Sequence, residues 1–570
     1  MRTSLATLLF PAIVAACTRD APPAGSFGTV VIEAAGEPNS LFPPAVTAIE
    51  GRQVAELVYE YLADVGAAMN TVGDAGFERQ LASAWSWSSD SMSIAFTIDP
   101  AARWHDGQRV TAHDVVFTYA VYSDPKVGSP AAEDIAEIDS VTARDSLTAV
   151  FWFKRRTPHQ FYDAAAQMLI IPSHIFDNIP RDSLTVFAAS RNPVGSGRYR
   201  FARWDHGSRI EIDALPSHYR EVAGLARLIW LAAPDYQTGV TRLLAGDVDV
   251  FPSLRPETLK QLAENPALVL ETLPGMDYAF MAFNLKRSIF ASREVRRALT
   301  MAIDRAAIVK NLFDSLASVP IGPTVRAYPS TDTTIRQIPF SRAAAERILD
   351  SAGWRRAKTG GFRTRNGEPF RFHLLVPTSS QARMRAAVLI QEQLRLTGID
   401  VIIDQMDNSA LGERQSSHDF DAALGAWHLG SSPSAVKSSW TTSATGKGGL
   451  NYGSYSNPAF DALVDSAMSV SDTALSRKYY NSAYEVIVGD APAIWLYEPK
   501  TLIAVQRRLE TTGMRPTAWW SGIAGWSIDR GLALPRDNLP SGTIMIQKVH
   551  NLVIKKGALV IKTTFRSPER

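Results

Sequence analysis

Two side chains of this chain have the spacing of a catalytic nucleophile and its base. Ser434 and Lys437 form an S-x-x-K segment, as in penicillin-recognising enzymes, whose serine attacks an acyl group with help from the lysine. Lys358-Thr359-Gly360 matches a second element of those enzymes, but it precedes the serine instead of following it. No S-x-N follows Ser434, and neither G-x-S-x-G nor H-E-x-x-H occurs. The order of the elements therefore favours a chance match over an acyl-transfer site.

A second group could hold a metal or exchange protons. His105, Asp106, His113 and Asp114 lie close together in the sequence. However, Asp106 begins an Asp-Gly turn, and Asp114 stands in the first turn of a helix that Thr111 would cap. Structural roles thus account for the acidic residues, and the ten histidines of the chain are otherwise scattered. The sequence predicts no metal, no cofactor and no catalytic site, and hence a protein that is not an enzyme.

The thiol of Cys17 is the only one among 570 residues, which excludes disulfides and cysteine-based zinc sites. It follows Arg2 and an apolar run, residues 5–16, that is shorter than the roughly 20 residues of a membrane span. The residues before the cysteine are small, as in a bacterial lipobox. We expect 1–17 to be a signal peptide, Cys17 to carry lipid that anchors the protein to a membrane, and 18–26 to be a tether. The alternative is an incidental cysteine removed with the signal peptide.

Length and charge limit the class of protein. A chain of 570 residues needs two or more folding units with separate cores. Its 59 basic and 57 acidic residues give a net charge of +2, and no basic stripe is present. Because phosphate recognition needs concentrated positive charge, this balance argues against a nucleic-acid partner.

Helices and strands must position these residues, and their pattern is clearest after Ser292. Apolar residues recur at spacings of three and four from Val295 to Leu312, which predicts one long helix with a buried face. The next segments predict two helices and two strands in alternation, which is typical of an α/β fold with a mostly parallel sheet covered by helices. They span residues 342–352, 370–376, 381–396 and 400–405.

Several further segments, taken in order, resemble the family 5 extracellular solute-binding proteins, which are the dipeptide-, oligopeptide- and nickel-binding components of bacterial ABC importers. The resemblance covers roughly residues 30–507. Its most specific part joins an L-A-S-A-W segment, a W-H-D-G turn and a T-A-H-D-V-V-F helix start. The matching segments are 81–85, 104–107, 111–117, 193–199, 283–285, 295–299, 302–305, 451–452, 457–461 and 491–494.

The resemblance implies a type II, cluster C-like clamshell of two lobes, the first with an extra subdomain. It assigns 27–50, 196–283 and 500–535 to the core of the first lobe, 51–195 to the extra subdomain and 284–499 to the second lobe. Crossover strands near 283–286 and 497–500 would form the hinge. Residues 536–570 are left as a C-terminal extension, and their alternating pattern around Lys556-Gly557 predicts a β-hairpin.

By the same resemblance, the ligand would lie between the lobes. Asn39 and Ser40 are expected on one wall, Trp427 and His428 on the other, and Tyr452 nearby; Trp427 could instead be an ordinary core aromatic. Peptide binders of the family commonly carry an aspartate shortly after the matching tryptophan, where it holds the α-ammonium group of the peptide. Gly430 and Ser431 stand there instead. Recognition of a free peptide N-terminus is therefore open, as are modified peptides, sugars and opines.

The resemblance implies a monomeric, exported, lipid-anchored protein on the periplasmic or extracellular side. It would capture a peptide or similar small polar solute and deliver it to the permease subunits of an ABC importer. Two other classes remain. One is a secreted lipoprotein hydrolase that acts on peptides or cell-wall fragments, and the other is a ligand sensor or chaperone with the same fold.

Overall fold

A computed structural model describes residues 27–356, 360–446 and 449–538, together with the backbone of two strands nearer the C-terminus, Asn551–Lys555 and Ala558–Lys562. The signal peptide predicted for 1–17, the lipidation predicted at Cys17 and the tether predicted for 18–26 lie outside these residues. The same holds for Lys358 and Thr359. The two C-terminal strands pair antiparallel on either side of residues 556 and 557.

The first sheet has seven strands and is mixed. Thr29–Ala34 lies parallel to the strands on either side of it, whereas the remaining neighbours pair antiparallel. The central strand is buried along its whole length, so both faces of the sheet are covered. The strands in spatial order are Leu268–Leu273, Thr501–Gln506, Val250–Phe251, Thr29–Ala34, Arg227–Ala232, Arg209–Ala214 and Tyr199–Asp205.

A separate four-stranded sheet forms the extra subdomain. Its strands are Ala82–Trp87, Ser93–Ile98, Thr148–Phe153 and Ile138–Ala143, and all neighbours pair antiparallel. Its buried side chains belong to the same apolar core as those of the first sheet. The two sheets therefore make up one lobe, called the first lobe here, which comprises residues 27–273 and 501–538.

The second sheet has six strands. Arg371–Pro377 lies parallel to both of its neighbours, and the remaining pairs are antiparallel. The prediction of a mostly parallel sheet is therefore wrong, because Asp277–Phe283 runs opposite to both of its neighbours and Ala317–Ser318 runs opposite to Ala493–Pro499. The strands in spatial order are Ala317–Ser318, Ala493–Pro499, Asp277–Phe283, Ala422–His428, Arg371–Pro377 and Asp400–Met406.

Helices cover the sheets of both lobes. In the first lobe they span Ile49–Val58, Ala112–Tyr122, Gln160–Ala165, Ser173–Phe176, Tyr236–Ala245 and Leu259–Ala263. In the second lobe, residues 277–499, they span Arg293–Ala302, Arg305–Phe313, Arg342–Ser351, Gln381–Leu396, Asn408–Ser416, Ala435–Trp440, Pro458–Ala467 and Thr473–Asp490.

The long helix predicted after Ser292 is interrupted at Ile303. This residue is extended, and the Asp304 carboxylate accepts a hydrogen bond from the backbone N–H of Ala307 at 2.9 Å. An aspartate in that position caps a new helix and satisfies one of its free N–H groups. The apolar spacing continues across the break because both helices bury their apolar side chains in the same hydrophobic cluster.

The chain passes between the lobes at two places. Residues 274–276 connect Leu268–Leu273 of the first sheet to Asp277–Phe283 of the second, and Lys500 connects Ala493–Pro499 to Thr501–Gln506. The second crossover lies where the resemblance implied it. The first does not lie at 283–286, because the strand before Phe283 belongs to the second sheet.

Buried charges attach the end of the described chain to the first lobe. The Arg508 guanidinium lies 2.8 Å from the Asp249 carboxylate and 2.7 Å from that of Asp537, and Arg536 reaches Asp249 at 2.7 Å. Both carboxylates are almost completely buried. The first lobe therefore extends at least to Asp537, beyond the boundary predicted at residue 535.

Candidate functional site

A cavity of about 1460 Å³ lies between the first lobe and the second lobe. This volume exceeds the roughly 300–1,000 Å³ of most small-molecule sites. Polar and charged side chains from both lobes line it, together with short apolar segments. The cavity is therefore suited to a polar solute larger than a single metabolite.

The wall in the second lobe is the end of a strand and the loop that follows it. Ala422–His428 ends at the cavity, and Gly430, Ser431, Ser432 and Ser434 continue its lining before the next helix. The Tyr328 hydroxyl donates to the backbone oxygens of Gly430 at 2.7 Å and Ser432 at 2.9 Å. This buried tyrosine holds the loop in place.

The wall in the first lobe comes from five segments near 43–56, 61–65, 129–137, 155–169 and 515–518, together with Tyr122. Ser129 begins the segment 129–137: its hydroxyl accepts from the N–H of Ala131 at 3.3 Å, and Pro130 starts a 3-10 turn. The Tyr119 hydroxyl donates to the Ile138 oxygen at 2.9 Å, which fixes the end of the same segment. Loops of the subdomain are thus held rigidly at the cavity.

Four ion pairs account for most of the charge in the cavity. They are Arg52 with Glu56 at 2.7 Å, Arg515 with Asp64 at 2.6 Å, Arg155 with Glu137 at 2.6 Å and Lys437 with Asp465 at 2.7 Å. The Glu56 carboxylate also accepts from the Tyr61 hydroxyl and from the Trp520 indole. These cations are already neutralised by neighbours in the protein.

Carboxylates without a cation remain on the first-lobe wall. Asp134 and Asp163 line the cavity, as does Glu133, and none of them forms an ion pair within the described part of the chain. Burial raises the pKa of Asp163 well above its usual range, and the charges of Asp134 and Glu137 raise it further. Burial also raises the pKa of Asp134, with a contribution from Glu133. We call Asp134 and Asp163 the acidic corner.

His159 lines the same cavity. Its Nδ1 lies 2.9 Å from the backbone oxygen of Thr71. Because a carbonyl oxygen only accepts, Nδ1 carries the proton and Nε2 is left as an acceptor. Nε2 is buried and has no partner among the described residues. Burial lowers the pKa of His159, which keeps the ring neutral.

The two first-lobe residues predicted at the site support it indirectly. The Asn39 side chain accepts from the N–H groups of Thr47 and Ala48, both at 3.0 Å, and donates to the Ala45 oxygen at 2.7 Å. The Ser40 hydroxyl accepts from the N–H of Phe42 at 3.0 Å. Neither residue is among those that line the cavity, but Thr47 and Ala48 are.

Of the three residues predicted at the site in the second lobe, one lines the cavity. His428 lines the cavity and is 65% exposed, with Nδ1 3.2 Å from the Asp277 carboxylate. Trp427 and Tyr452 do not line the cavity. Successive side chains of a strand point to opposite faces, so Trp427 turns away from His428 and packs toward Phe280 and Tyr452. A role for Trp427 and Tyr452 in ligand binding therefore stays a prediction.

The structure also explains the residues first considered for catalysis. The Lys437 ammonium is bound to Asp465, and Ser434 accepts a hydrogen bond from the Ser432 hydroxyl at 2.9 Å, so no base is shown next to the serine. Asp114 accepts from the N–H of Thr111 at 2.8 Å in a capping box that begins at Thr111, the predicted cap.

The histidines of that group are also held by the protein. Burial lowers the pKa of His105 to about 4, and its Nε2 lies 2.9 Å from the Gly197 oxygen. His113 lies 4.0 Å from Asp177 on the surface, away from His105. Across the described ranges, no three acidic, histidine or cysteine side chains are placed to hold a metal ion.

The lobes touch beside the cavity. Tyr162 of the first lobe interacts with the Ser431 side chain of the second, and burial raises the pKa of Tyr162 to about 12. Met69, from the first lobe, is buried in an apolar cluster with Met276 and Tyr278 of the crossover and the second lobe. The two lobes are therefore in contact at the edge of the cavity.

A sequence profile of the "bacterial extracellular solute-binding proteins, family 5 Middle" matches residues 76–449 of this chain. The chain belongs to that family, and it is a solute-binding protein of the kind that serves ABC transporters. Members of the family are binding proteins rather than enzymes, and they act in the periplasm or outside the cell. In the part of the chain that the structure describes, no helix has the length and apolar character needed to cross a membrane.

Particular relatives support the same assignment. The chain is 28% identical to the oligopeptide-binding protein AppA of Bacillus subtilis, over 88% of this chain and 91% of AppA. It is 25% identical to the glutathione-binding protein GsiB of Pectobacterium atrosepticum, over 77% of this chain and 84% of GsiB. The structure of B. subtilis AppA with a nonapeptide aligns with a TM-score of 0.71 at 27% identity, covering 89% of this chain and all of AppA. NikZ of Campylobacter jejuni with Ni(L-His) shares the fold at a TM-score of 0.72 and 22% identity, covering 89% of this chain and all of NikZ.

Proposed function

We propose that this protein captures a peptide or a similar small polar solute in the cavity between its lobes and delivers it to the permease of an ABC importer. The observation that carries the proposal is a cavity of about 1460 Å³, with polar and charged walls from both lobes. A nonapeptide is bound by the related AppA, and glutathione is named as the ligand of GsiB. Both ligands are peptides, and a cavity larger than most small-molecule sites would suit a peptide.

Capture would use the two crossovers as a hinge. In the described part of the chain, only residues 274–276 and Lys500 connect the two lobes covalently, so rotation about these segments would open the cavity without rearranging either sheet. A solute that contacts both walls stabilises the closed state, and the permease would recognise that state. On this account no bond of the solute is made or broken.

Export and anchoring complete the proposal. Cys17 would be lipidated after removal of the residues before it, and 18–26 would link a monomeric protein to a membrane surface. Two or more acyl chains, at about 0.8 kcal/mol per buried methylene group, would make this attachment stable. The proposed partners are the solute, the permease subunits and the membrane, with no cofactor.

Thermal unfolding tests capture directly. A ligand that binds only the folded state at about a hundred times its dissociation constant adds about 2.7 kcal/mol of stability. We expect a synthetic library of short peptides to raise the melting temperature of the protein and to be recovered unchanged by mass spectrometry. Chemical turnover of the library would instead support the hydrolase alternative, and an unchanged melting temperature would contradict peptide capture.

A further inference from the structure

Two ion pairs lie on opposite walls of the cavity, one on each lobe. On the first lobe, the Arg155 guanidinium donates two hydrogen bonds to the Glu137 carboxylate, at 2.6 and 2.8 Å. On the second lobe, the Lys437 ammonium lies 2.7 Å from the Asp465 carboxylate. All four side chains line the same cavity. We call these four residues the quartet.

The two ion pairs of the quartet act on each other across the lobes. Hydrogen bonds from Arg155 lower the pKa of the Glu137 carboxyl, and the positive charge of Lys437 lowers it further. In the same way, hydrogen bonding to Glu137 raises the pKa of Arg155, and the negative charge of Asp465 raises it further. Each charge therefore interacts with the opposite charge on the other lobe, and the two pairs attract.

A second charge contact joins the lobes outside the cavity lining. The Arg385 guanidinium, on the helix Gln381–Leu396 of the second lobe, lies 3.4 Å from the carboxylate of Glu257. Glu257 belongs to the 3-10 turn Pro256–Thr258 of the first lobe. Neither residue is among those that line the cavity, so this contact joins the lobes without the help of a solute.

We propose that the quartet and the ion pair of Glu257 with Arg385 form an electrostatic latch, which favours the closed arrangement of the lobes even when the cavity is empty. The inference rests on the proposed capture between two lobes, and it names the charges that set the open–closed equilibrium. Exposed ion pairs add little to the stability of a fold, but two arrangements of one fold differ little in free energy. Attractions of this size therefore change the ratio of closed to open molecules by about twofold to tenfold.

Ionic strength gives the first test, which needs no ligand. The Debye length is about 30 Å in about 10 mM salt and about 3 Å in about 1 M salt, so added salt screens charges that are exposed to solvent. Small-angle X-ray scattering of the empty protein, residues 18–570 without lipid, should give a larger radius of gyration in the higher concentration of potassium chloride. A radius of gyration that does not change with salt would overturn the proposal.

A charge swap tests the quartet itself. Lys437→Asp together with Asp465→Lys keeps an ion pair on the second lobe but reverses its direction, so the interactions across the cavity become repulsive. This variant should lower the ratio of closed to open molecules by about threefold to tenfold in low salt. Adding Glu137→Arg and Arg155→Glu reverses the other pair as well. The fourfold variant restores the attraction and should return the radius of gyration to that of the wild-type protein.

The second contact is tested by the same logic. Arg385→Glu should favour the open arrangement, and the further change Glu257→Arg should reverse this effect. Arg395→Glu with Glu392→Arg is the matched control, because this pair, 2.7 Å apart, lies within one helix of the second lobe and outside the cavity lining. If the swap of Lys437 with Asp465 and the variant Arg385→Glu both left the radius of gyration unchanged, as the control should, the latch would not exist.

These outcomes are distinct from a failure of peptide capture. The radius of gyration is measured without a solute, whereas capture is measured by the rise in melting temperature with the peptide library. A latch without that rise would contradict capture alone. A rise in melting temperature without any response to salt or to the charge swaps would contradict the latch alone.

Discussion

At the scale of single residues, two neighbours at the end of the strand Ala422–His428 have different roles, one at the cavity and one in the core. His428 lies at the cavity, whereas Trp427 joins an aromatic group with Phe280 at 6.2 Å and Tyr452 at 6.4 Å between ring centroids. The Phe280 ring in turn contacts Trp440 and Trp495 in the core of the second lobe. Adjacent residues therefore contribute separately to ligand binding and to stability.

This separation predicts different results for two alanine variants. His428→Ala should weaken binding of the synthetic peptide library by about threefold to tenfold, the value of one hydrogen bond, and leave the melting temperature almost unchanged. Trp427→Ala should instead lower the free energy of unfolding by about 2–3 kcal/mol, because it removes a partly buried ring from the core. Calorimetry and denaturant titration measure both effects. A loss of affinity confined to Trp427→Ala would show that the tryptophan contacts the ligand after all.

Glu33 gives the clearest dependence of stability on pH. The residue is almost completely buried, and burial raises the pKa of its carboxyl to about 7 although Arg242 lies 3.5 Å away and opposes the shift. The folded state thus holds a proton that the unfolded state loses near pH 4.5. Linkage then requires that this group favour folding at low pH and contribute progressively less as pH rises toward about 7.

The variant Glu33→Gln removes this titration. The melting temperature of the wild-type protein minus that of the variant should therefore decrease between about pH 5 and about pH 8. Glu264→Gln, at an exposed position, provides the baseline for loss of a carboxylate. A difference that stays constant with pH would show that Glu33 is ionised throughout this range in the folded protein.

At the scale of elements, the crossovers depend on a close approach of two backbones. A Cβ atom on Gly275 would lie 1.7 Å from the backbone oxygen of Pro499. Gly275 belongs to the first crossover, and Pro499 ends the strand that leads into the second. The absence of a side chain here lets the two connections run side by side, and so positions the lobes around the cavity.

Gly275→Ala should therefore destabilise the protein by about 1–3 kcal/mol, as overpacking does, and should also change the affinity for peptides. Gly412→Ala is the matched control. Gly412 lies within the helix Asn408–Ser416, and an added Cβ would meet nothing within 4 Å. Alanine there should therefore raise the free energy of unfolding, by about 1 kcal/mol at most. Denaturant unfolding of both variants checks the difference. If both variants changed the free energy of unfolding equally, the close approach of the two crossovers would not be needed for stability.

The same elements show what a sequence can predict. The helix at 381–396, the strand at 400–405 and the cap at Thr111 follow from local periodicity and side-chain chemistry, and the structure has them. Strand direction does not follow from local pattern. For this reason the sheet of the second lobe was expected to be mostly parallel, and Asp277–Phe283 was assigned to the first lobe.

At the scale of the whole molecule, the site was the hardest part to predict. Resemblance directed attention to residues near Trp427, and only His428 of that set lines the cavity. The acidic corner was missed because Asp134 follows a turn and Asp163 lies in a helix, and the folding of the extra subdomain brings them together. The one signal available beforehand was the absence of an aspartate after Trp427, which left recognition of a free peptide N-terminus open.

Native mass spectrometry of the folded protein with the synthetic peptide library tests most directly whether the molecule is a carrier between two lobes. The account predicts one peptide bound per chain, with a mass identical before binding and after release. Protein that binds no peptide would contradict the account, as would peptides released with altered mass.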